Sequence, residues 1–276
     1  MIALDMDGTL LLSDHHTVPQ RNIEAIRRAD AAQIRVCICT GRMLEDASDF
    51  ITRLGMPCMI IAGNGTRASN GPLPDGRILL RRQFAPEDAH RIIELLLPFG
   101  LMINGFEDGR VSTVQGDSPK PYHLVVRGLI EAAYGEEALR SAADRGVMKF
   151  FVVSDGFGGD APDRRIPEAR AILRRELPHL QITSSAEGNI EIMPADAGKG
   201  AALRQVAEHM GLAREQVMAV GDAGNDISML EYAFHSVAMG NATDEVCAVC
   251  RYQTARNDEC GVAQIIERVL AAKGTV

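Results

Sequence analysis

Short apolar runs recur along the first third of the chain, and each gives way to polar or glycine residues. Ile2-Ala3-Leu4, Ile34-Arg-Val-Cys-Ile-Cys-Thr40 and Cys58-Met-Ile-Ile-Ala62 read as buried strands. Between them, Pro19 to Ala32 sets Ile23, Ile26 and Ala29 at helical spacing. Leu44 to Leu54 predicts a second helix, stopped by Gly55 and Pro57. Strands that alternate with helices, with polar residues after each strand, predict a parallel sheet that meets its ligands at the strand C-termini.

The rhythm then changes. Asn70 to Asp75 is rich in turn residues, and Arg77 to Phe84 reads as a strand leaving the first unit. Pro86 to Pro98 predicts an amphipathic helix. Leu101–Asn104 and Arg110–Val114 predict strands around a Glu107-Asp108-Gly109 turn. Asp117 to Tyr122 and the Gly156-Phe-Gly-Gly159 stretch read as loops. Lys149–Val153, Gln181–Ser184 and Asn189–Met193 predict strands, and Pro167 to Leu177 a helix. From Lys199 the earlier rhythm resumes, with a helix over Gly200–Met210 and a strand over Gln216–Val220. A helix over Ile227–Tyr232, a strand over Ser236–Met239 and a closing helix over Val262–Ala271 follow. The expected class is α/β: a Rossmann-like parallel-sheet core over residues 1–82 and 189–276, with an inserted α+β cap domain over 83–188.

Composition narrows the function. With 276 residues the chain holds two modest domains or one large one. The net charge of −8, the absence of any Lys/Arg block and an aromatic content of 4% without Trp argue against a nucleic-acid partner. No apolar run reaches membrane-spanning length, which argues against a membrane partner. Asp5 and Asp7 stand where an export signal needs an uncharged core, so a cytoplasmic location is expected. Cys37, Cys39 and Cys58 lie in apolar runs and read as buried free thiols. Cys247-x-x-Cys250 lacks the second pair or histidine that a zinc set needs, and reads as structural.

The candidate chemistry sits at the predicted strand ends. They carry Asp5 and Asp7, Thr40-Gly41-Arg42, Asn64, and Asp222 with Asn225 and Asp226, and Lys199 precedes a helix near the last group. A parallel sheet brings such ends to one edge. Several facing carboxylates are tolerable around a hard divalent cation, and an all-oxygen set favours Mg²⁺. Lys199, the Thr40 hydroxyl and the amides near Gly41 and Gly8 suit phosphate oxygens. Phosphoryl transfer needs this combination of positioning and charge neutralisation. Asp5, at the strand end, is the expected nucleophile. Asp7, on the turn, is the expected acid and base, its pKa raised by neighbouring carboxylates. Arg42 and Asn64 serve equally as substrate contacts or as caps. Gly198-Lys199-Gly200 lacks the Ser/Thr of a P-loop, and Gly63-Asn-Gly65-Thr-Arg-Ala68 lacks the third glycine of a dinucleotide motif. His15-His16 reads as a solvated loop.

Asp5-Met-Asp-Gly-Thr-Leu10 resembles the first motif of the haloacid dehalogenase superfamily of phosphatases. Thr40-Gly-Arg42 resembles the second, Lys199 the third and Gly221-Asp-Ala-Gly-Asn-Asp226 the fourth. The insertion between motifs two and three is similar to that of the Cof-type branch, as are Asn64-Gly65, Glu187-Gly-Asn-Ile-Glu-Ile192, Ala238-Met-Gly-Asn241, Asn257-Asp258 and Gly261-Val262. Ala197-Gly198 departs from the bulkier or polar residues common before that lysine.

The resemblance implies that Asp5 is the nucleophile and a Mg²⁺ ligand, and that Asp7 is the acid/base and binds the metal through its carbonyl. It makes Asp222 a ligand supported by Asp226. The Met6 backbone, Thr40, Gly41, Lys199 and Asn225 become phosphate-holding groups. The leading expectation is a Mg²⁺-dependent phosphatase of small phosphorylated metabolites, such as sugar phosphates or nucleotide-related phosphates, working through an aspartyl phosphate. The alternatives are a sugar phosphomutase and a non-catalytic binder of a phosphorylated ligand. Selectivity for the leaving group is expected to lie in the inserted domain.

Overall fold

Ile2–Leu4 (β1) is an inner strand of an eight-stranded sheet. The computed structural model describes residues 1–115, 127–154, 163–184 and 188–274. The chain forms two units, Met1–Leu80 with Gly198–Val276, and Arg81–Ala197.

In the first unit, β1 is followed by α1 (Gln20–Ala31), β2 (Val36–Cys39), α2 (Leu44–Leu54), β3 (Cys58–Ala62), β4 (Arg67–Ser69) and β5 (Ile78–Arg81). Within the second unit come α3 (Pro86–Leu96), β6 (Met102–Glu107), β7 (Arg110–Val114), β8 (Glu131–Tyr134), α4 (Glu136–Arg145), β9 (Lys149–Val153), α5 (Arg165–Glu176), β10 (Gln181–Thr183) and β11 (Asn189–Met193). The chain then returns to the first unit through α6 (Lys199–His209), β12 (Met218–Gly221), α7 (Ile227–Tyr232), β13 (His235–Ala238), α8 (Asp244–Val249), β14 (Tyr252–Gln253) and α9 (Gly261–Ala272).

The first sheet has the order β14-β13-β12-β1-β2-β3-β4-β5, parallel from β14 to β3, with β4 antiparallel to β3. Strands β1, β2 and β3 are buried on both faces, so they read as unbroken apolar runs rather than as alternating ones. Leu4, Ile38 and Ile60 point to one face and pack with Ile26 of α1, Ile51 of α2 and Ile266 of α9. Ala3, Cys37 and Ile61 point to the other and pack with Leu203 of α6, Met229 of α7 and Val246 of α8. From β1 the chain moves one way to β2 and β3, and from β12 it moves the other way to β13. The reversal lies between β1 and β12, where open α/β sheets hold their ligands.

The second unit has a six-stranded sheet, β10-β11-β9-β6-β7-β8, antiparallel except for β7 with β8. Ile103, Phe150, Val152, Ile190 and Ile192 cover one face with Ile92 of α3, Leu139 of α4 and Leu173 of α5. Residues of the other parity include Asn104, whose side chain accepts from Thr113 Oγ1 at 3.0 Å, and Lys149, whose Nζ donates to Glu191 Oε2 at 2.7 Å.

The α/β class and the parallel-sheet core agree with the sequence reading. The boundaries differ. Asn189–Met193 was expected in the core, but it pairs with β9 and β10 in the second sheet, and that unit runs to Ala197. Ile78–Arg81 does not leave the first sheet but forms its edge. Strand β8 and helix α4 were not anticipated. The expected loops at 117–122 and 156–159, and Glu187, lie outside the described residues. Cys37, Cys39 and Cys58 are buried free thiols, and Cys247 and Cys250 are unbridged. Among the described residues no helix is long and apolar enough to cross a membrane.

Candidate active site

The first turn after β1 is built by residues far away in sequence. Asp5 continues the strand, its N–H donating to Val220 O at 3.1 Å. Gly8 then reverses the chain at φ 86°, a left-handed value that L side chains rarely adopt. A Cβ on Gly8 would also run into the Asp222 carboxylate. Thr9 Oγ1 donates to Asp222 Oδ1 at 2.7 Å, and Asn241 Nδ2 to Gly8 O at 2.8 Å. Asn257 links the same assembly, donating from N to Asn241 Oδ1 at 3.0 Å and from Nδ2 to Leu11 O at 2.8 Å. Substituting Gly8→Ala is expected to cost at least about 1–2 kcal/mol from the backbone alone. By displacing Asp222 it is also expected to weaken binding of divalent cations, read by thermal melting and by metal titration.

Lys199 opens α6, and its side chain is fully buried. Its Nζ lies 2.5 Å from Asp5 Oδ1 and 2.6 Å from Asp226 Oδ1. Asp226, also fully buried, accepts at Oδ2 from the N–H groups of Asp222 at 3.0 Å and Ala223 at 3.1 Å. Asp5, Asp222 and Asp226 each offer a carboxylate oxygen within 4.8 Å of the others, a set that can hold a metal ion. Asp5 Oδ2 accepts no hydrogen bond from the described residues, which leaves that oxygen open.

Three ionised carboxylates and one ammonium carry a net charge of −2, an excess that burial makes costly. The pKa directions follow from this. Burial, and then the neighbouring Asp226, push Asp5 well above the usual carboxylate range, although Lys199 pulls the other way. Burial pushes Asp222 up to about 6, opposed by the Thr9 hydrogen bond and reinforced by Asp226. Burial would strip the Lys199 proton, but Asp226 and Asp5 together hold it charged, well above the ordinary lysine value.

Asp7 stands beside this cluster with different partners. Arg42 grips its carboxylate with two parallel bonds, Nε to Oδ2 at 2.9 Å and Nη2 to Oδ1 at 2.7 Å. His15 Nδ1 lies 3.0 Å from Asp7 Oδ1. Burial acts to raise the Asp7 pKa, but the Arg42 bonds and charge, with His15, bring it below the ordinary value. The expected rise from neighbouring carboxylates is therefore overturned, because the groups in contact with Asp7 are cations and donors.

The remaining predicted residues form a chain of contacts. Thr40 is buried, and its Oγ1 accepts from Arg42 N at 3.1 Å. Thr40 O accepts from Asn64 N at 3.0 Å. Asn64 adopts a left-handed φ of 54°, and its Oδ1 lies 3.4 Å from Asn225 Nδ2. A Cβ on Gly41 would sit 3.1 Å from Asn64 Oδ1. Gly65 packs so closely on the Gly198 backbone that no Cβ fits, which joins this loop to the start of α6. The Met6 side chain is buried in the core, so only its backbone can serve a ligand.

The fold thus brings Asp5, Lys199, Asp222 and Asp226 into one cluster. Asp7 and Arg42 pair next to it, and Thr40, Gly41, Asn64 and Asn225 form a linked group. Sequence reading missed His15 as a partner of Asp7, and it did not anticipate the Thr9 bond to Asp222. Asn241 and Asn257 entered it only as parts of matching motifs.

Comparison with known proteins gives the family. A 5-amino-6-(5-phospho-D-ribitylamino)uracil phosphatase of Bacillus subtilis is 32% identical over 290 residues, spanning 99% of this chain and 98% of the relative. An HMP-PP phosphatase of Cronobacter sakazakii is 29% identical, spanning 89% of this chain and 86% of the relative. The solved structure of a haloacid dehalogenase-like hydrolase from B. subtilis superposes with a TM-score of 0.81 at 27% identity, covering 98% of this chain and 99% of that one. Residues 2–266 match the haloacid dehalogenase-like hydrolases, and the chain belongs to that family, in its Cof-type branch.

Proposed function

We propose that this chain is a Mg²⁺-dependent phosphatase that hydrolyses small phosphorylated metabolites through a covalent phosphate on Asp5. The observation that carries the reading is the buried Asp5–Asp222–Asp226–Lys199 cluster with its excess of negative charge. The donor set is all oxygen, with no His or Cys, which suits Mg²⁺. Asp5 and Asp222 would hold the ion, and Asp226 would orient the Asp222 backbone and Lys199. When bound, Mg²⁺ supplies charge neutralisation for the carboxylates and the phosphate oxygens.

In the first step Asp5 Oδ2 forms a bond to phosphorus as the ester P–O bond breaks, and Asp7, entering this step protonated, gives its proton to the departing alkoxide. In the second step Asp7 takes a proton from water as the water oxygen bonds to phosphorus, releasing inorganic phosphate and restoring Asp5. The Arg42 bonds favour the ionised form of Asp7, from which the second step starts, and the proton taken from water restores the form that the first step uses. Lys199 keeps Asp5 oriented, while Thr40, Gly41, Asn225 and the Met6 amide hold the phosphate oxygens. Arg42 serves Asp7 more directly than it serves substrate.

The name of the relative with 32% identity makes a phosphate ester on a polyol chain a first candidate substrate. A phosphate-release screen over sugar phosphates and nucleotide-related phosphates tests the proposal. Release that requires Mg²⁺ and stops on chelation is expected. No release from any member of a broad panel would overturn it.

A second expectation follows from the raised carboxyl groups. A folded-state pKa near 6 for Asp222, above the ordinary value, means that folding takes up a proton. The stability this gives the metal-free chain is complete below about pH 4 and lost as pH rises through about 6. A cation must compete with that proton, so Mg²⁺ is expected to raise the melting temperature more at about pH 8 than at about pH 5. An equal shift at both values would contradict it.

A further inference from the structure

The loop between Leu12 and Pro19 presents a histidine to Asp7 in a way that the proposed chemistry leaves unexplained. The loop is closed by its own bonds. Leu12 N donates to Thr17 O at 2.9 Å, and His15 N to Leu12 O at 3.0 Å. Asp14 accepts from the His16 and Thr17 amides at 2.9 and 2.8 Å. Within this turn His15 takes a left-handed φ of 57°, which is unfavourable for a residue with a side chain. Its carbonyl accepts from Arg42 Nη2 at 2.8 Å, while its ring reaches Asp7. His15, Arg42 and Asp7 therefore close a triangle in which every pair is bonded. Arg42 is fixed further by Asp46 at 3.6 Å and by the Phe50 ring, whose centroid is 5.8 Å from the guanidinium.

The two Asp7 oxygens are not equivalent. Among the described residues, Oδ1 meets two donors, Arg42 Nη2 and His15 Nδ1, whereas Oδ2 meets only Arg42 Nε. A carboxylate oxygen takes about two such bonds before its lone pairs are used. An ionised Asp7 requires the His15 nitrogen facing it to carry the proton.

We infer that His15 is a positioning residue for Asp7: by filling Oδ1 it leaves Oδ2 as the oxygen that exchanges a proton with the leaving group and with water. This rests on the reading of Asp7 as acid and base. His15 itself does not touch the reacting atoms.

Two substitutions separate this role from a merely structural one. His15→Gly keeps the left-handed turn accessible and removes the ring. His15→Asn tolerates the same backbone and restores an N–H donor. General acid catalysis matters for an alkyl phosphate, whose leaving alkoxide is a strong base, and little for p-nitrophenyl phosphate. His15→Gly is expected to lower kcat/KM, which reports the steps up to phosphate transfer onto Asp5, by roughly 10-fold for the alkyl phosphate and by less than about 3-fold for p-nitrophenyl phosphate. His15→Asn is expected to recover most of the loss. Asp7→Asn serves as the reference, with the same leaving-group dependence at larger amplitude. If Asp7→Asn lowers kcat/KM equally for both substrates, the reading of Asp7 as the acid of the first step fails and the His15 inference falls with it. If Asp7→Asn discriminates but His15→Gly slows both substrates equally or neither, or if His15→Asn recovers nothing, the inference about His15 alone is overturned.

Discussion

Replacing Asp5 by Asn is expected to abolish phosphate release, by ~10⁴-fold or more, without destabilising the metal-free chain. The two halves have separate causes. Activity is lost because an amide oxygen cannot serve as the nucleophile that the open Asp5 Oδ2 provides. Stability is kept because the Asp5 carboxylate is a burden in the absence of metal. It is buried and close to Asp226 and Asp222, and its pKa is held well above the ordinary range. Its bond with Lys199 returns only part of that cost, and an amide oxygen still accepts from the lysine. Thermal melting in chelator is expected to place Asp5→Asn within about 1 kcal/mol of the parent or above it. Mg²⁺ should stabilise the variant less than it stabilises the parent. A variant that unfolds in chelator would show that Asp5 is a structural anchor.

Lys199→Met is expected to be the most destabilising single change at the site. It preserves much of the buried stem and removes the one ammonium facing Asp5 Oδ1 and Asp226 Oδ1. Removing one partner of a buried ion pair leaves an uncompensated charge and costs about 3–5 kcal/mol. That is a large share of the roughly 5–15 kcal/mol that holds a folded domain together. Asp226 keeps its two backbone donors, Asp222 N and Ala223 N, so the penalty falls most heavily on Asp5. The double variant Asp5→Asn with Lys199→Met should therefore be more stable than Lys199→Met alone. Urea unfolding of both variants in chelator measures this coupling. Additive losses would mean that Lys199 and Asp5 act independently, against the geometry.

The parts of the fold legible in the sequence are those with a local signature. Strands β1, β2 and β3 are buried on both faces, so they appear as apolar runs, and the polar residues that end them mark the functional edge. The carboxylates were legible for the same reason. Helix α4 was not: it buries Leu139, Ala142 and Ala143, and two alanines give almost no apolar stripe. Strand β8 is half-exposed and carries Glu131, Ala132, Ala133 and Tyr134, without a run of β-branched residues. Strand β11 was legible as a strand, through Ile190 and Ile192, but not by partner. Its register with Lys149–Val153 is a long-range fact.

At the site, the gathering of Asp5, Asp222 and Asp226 was legible, whereas the charge states of the acids were not. The Asp7 pKa depends on Arg42, whose side chain folds back onto a residue 35 positions earlier. It depends also on His15, which a polar loop and a neighbouring histidine made look solvated. No pattern of residue types encodes those contacts, because they arise from the direction in which side chains leave a turn.

Asp5 is the proposed carrier of the phosphate. Enzyme mixed with Mg²⁺ and a substrate found by the release screen, quenched in acid during turnover and reduced with borohydride, reports where an acyl phosphate stood. Reduction converts an aspartyl phosphate to homoserine, which peptide mass spectrometry locates. Homoserine is expected at position 5 in the parent chain, dependent on substrate, and none in Asp5→Asn. Phosphate release with no modified residue, or with the modification at Asp7 or Asp222, would contradict it.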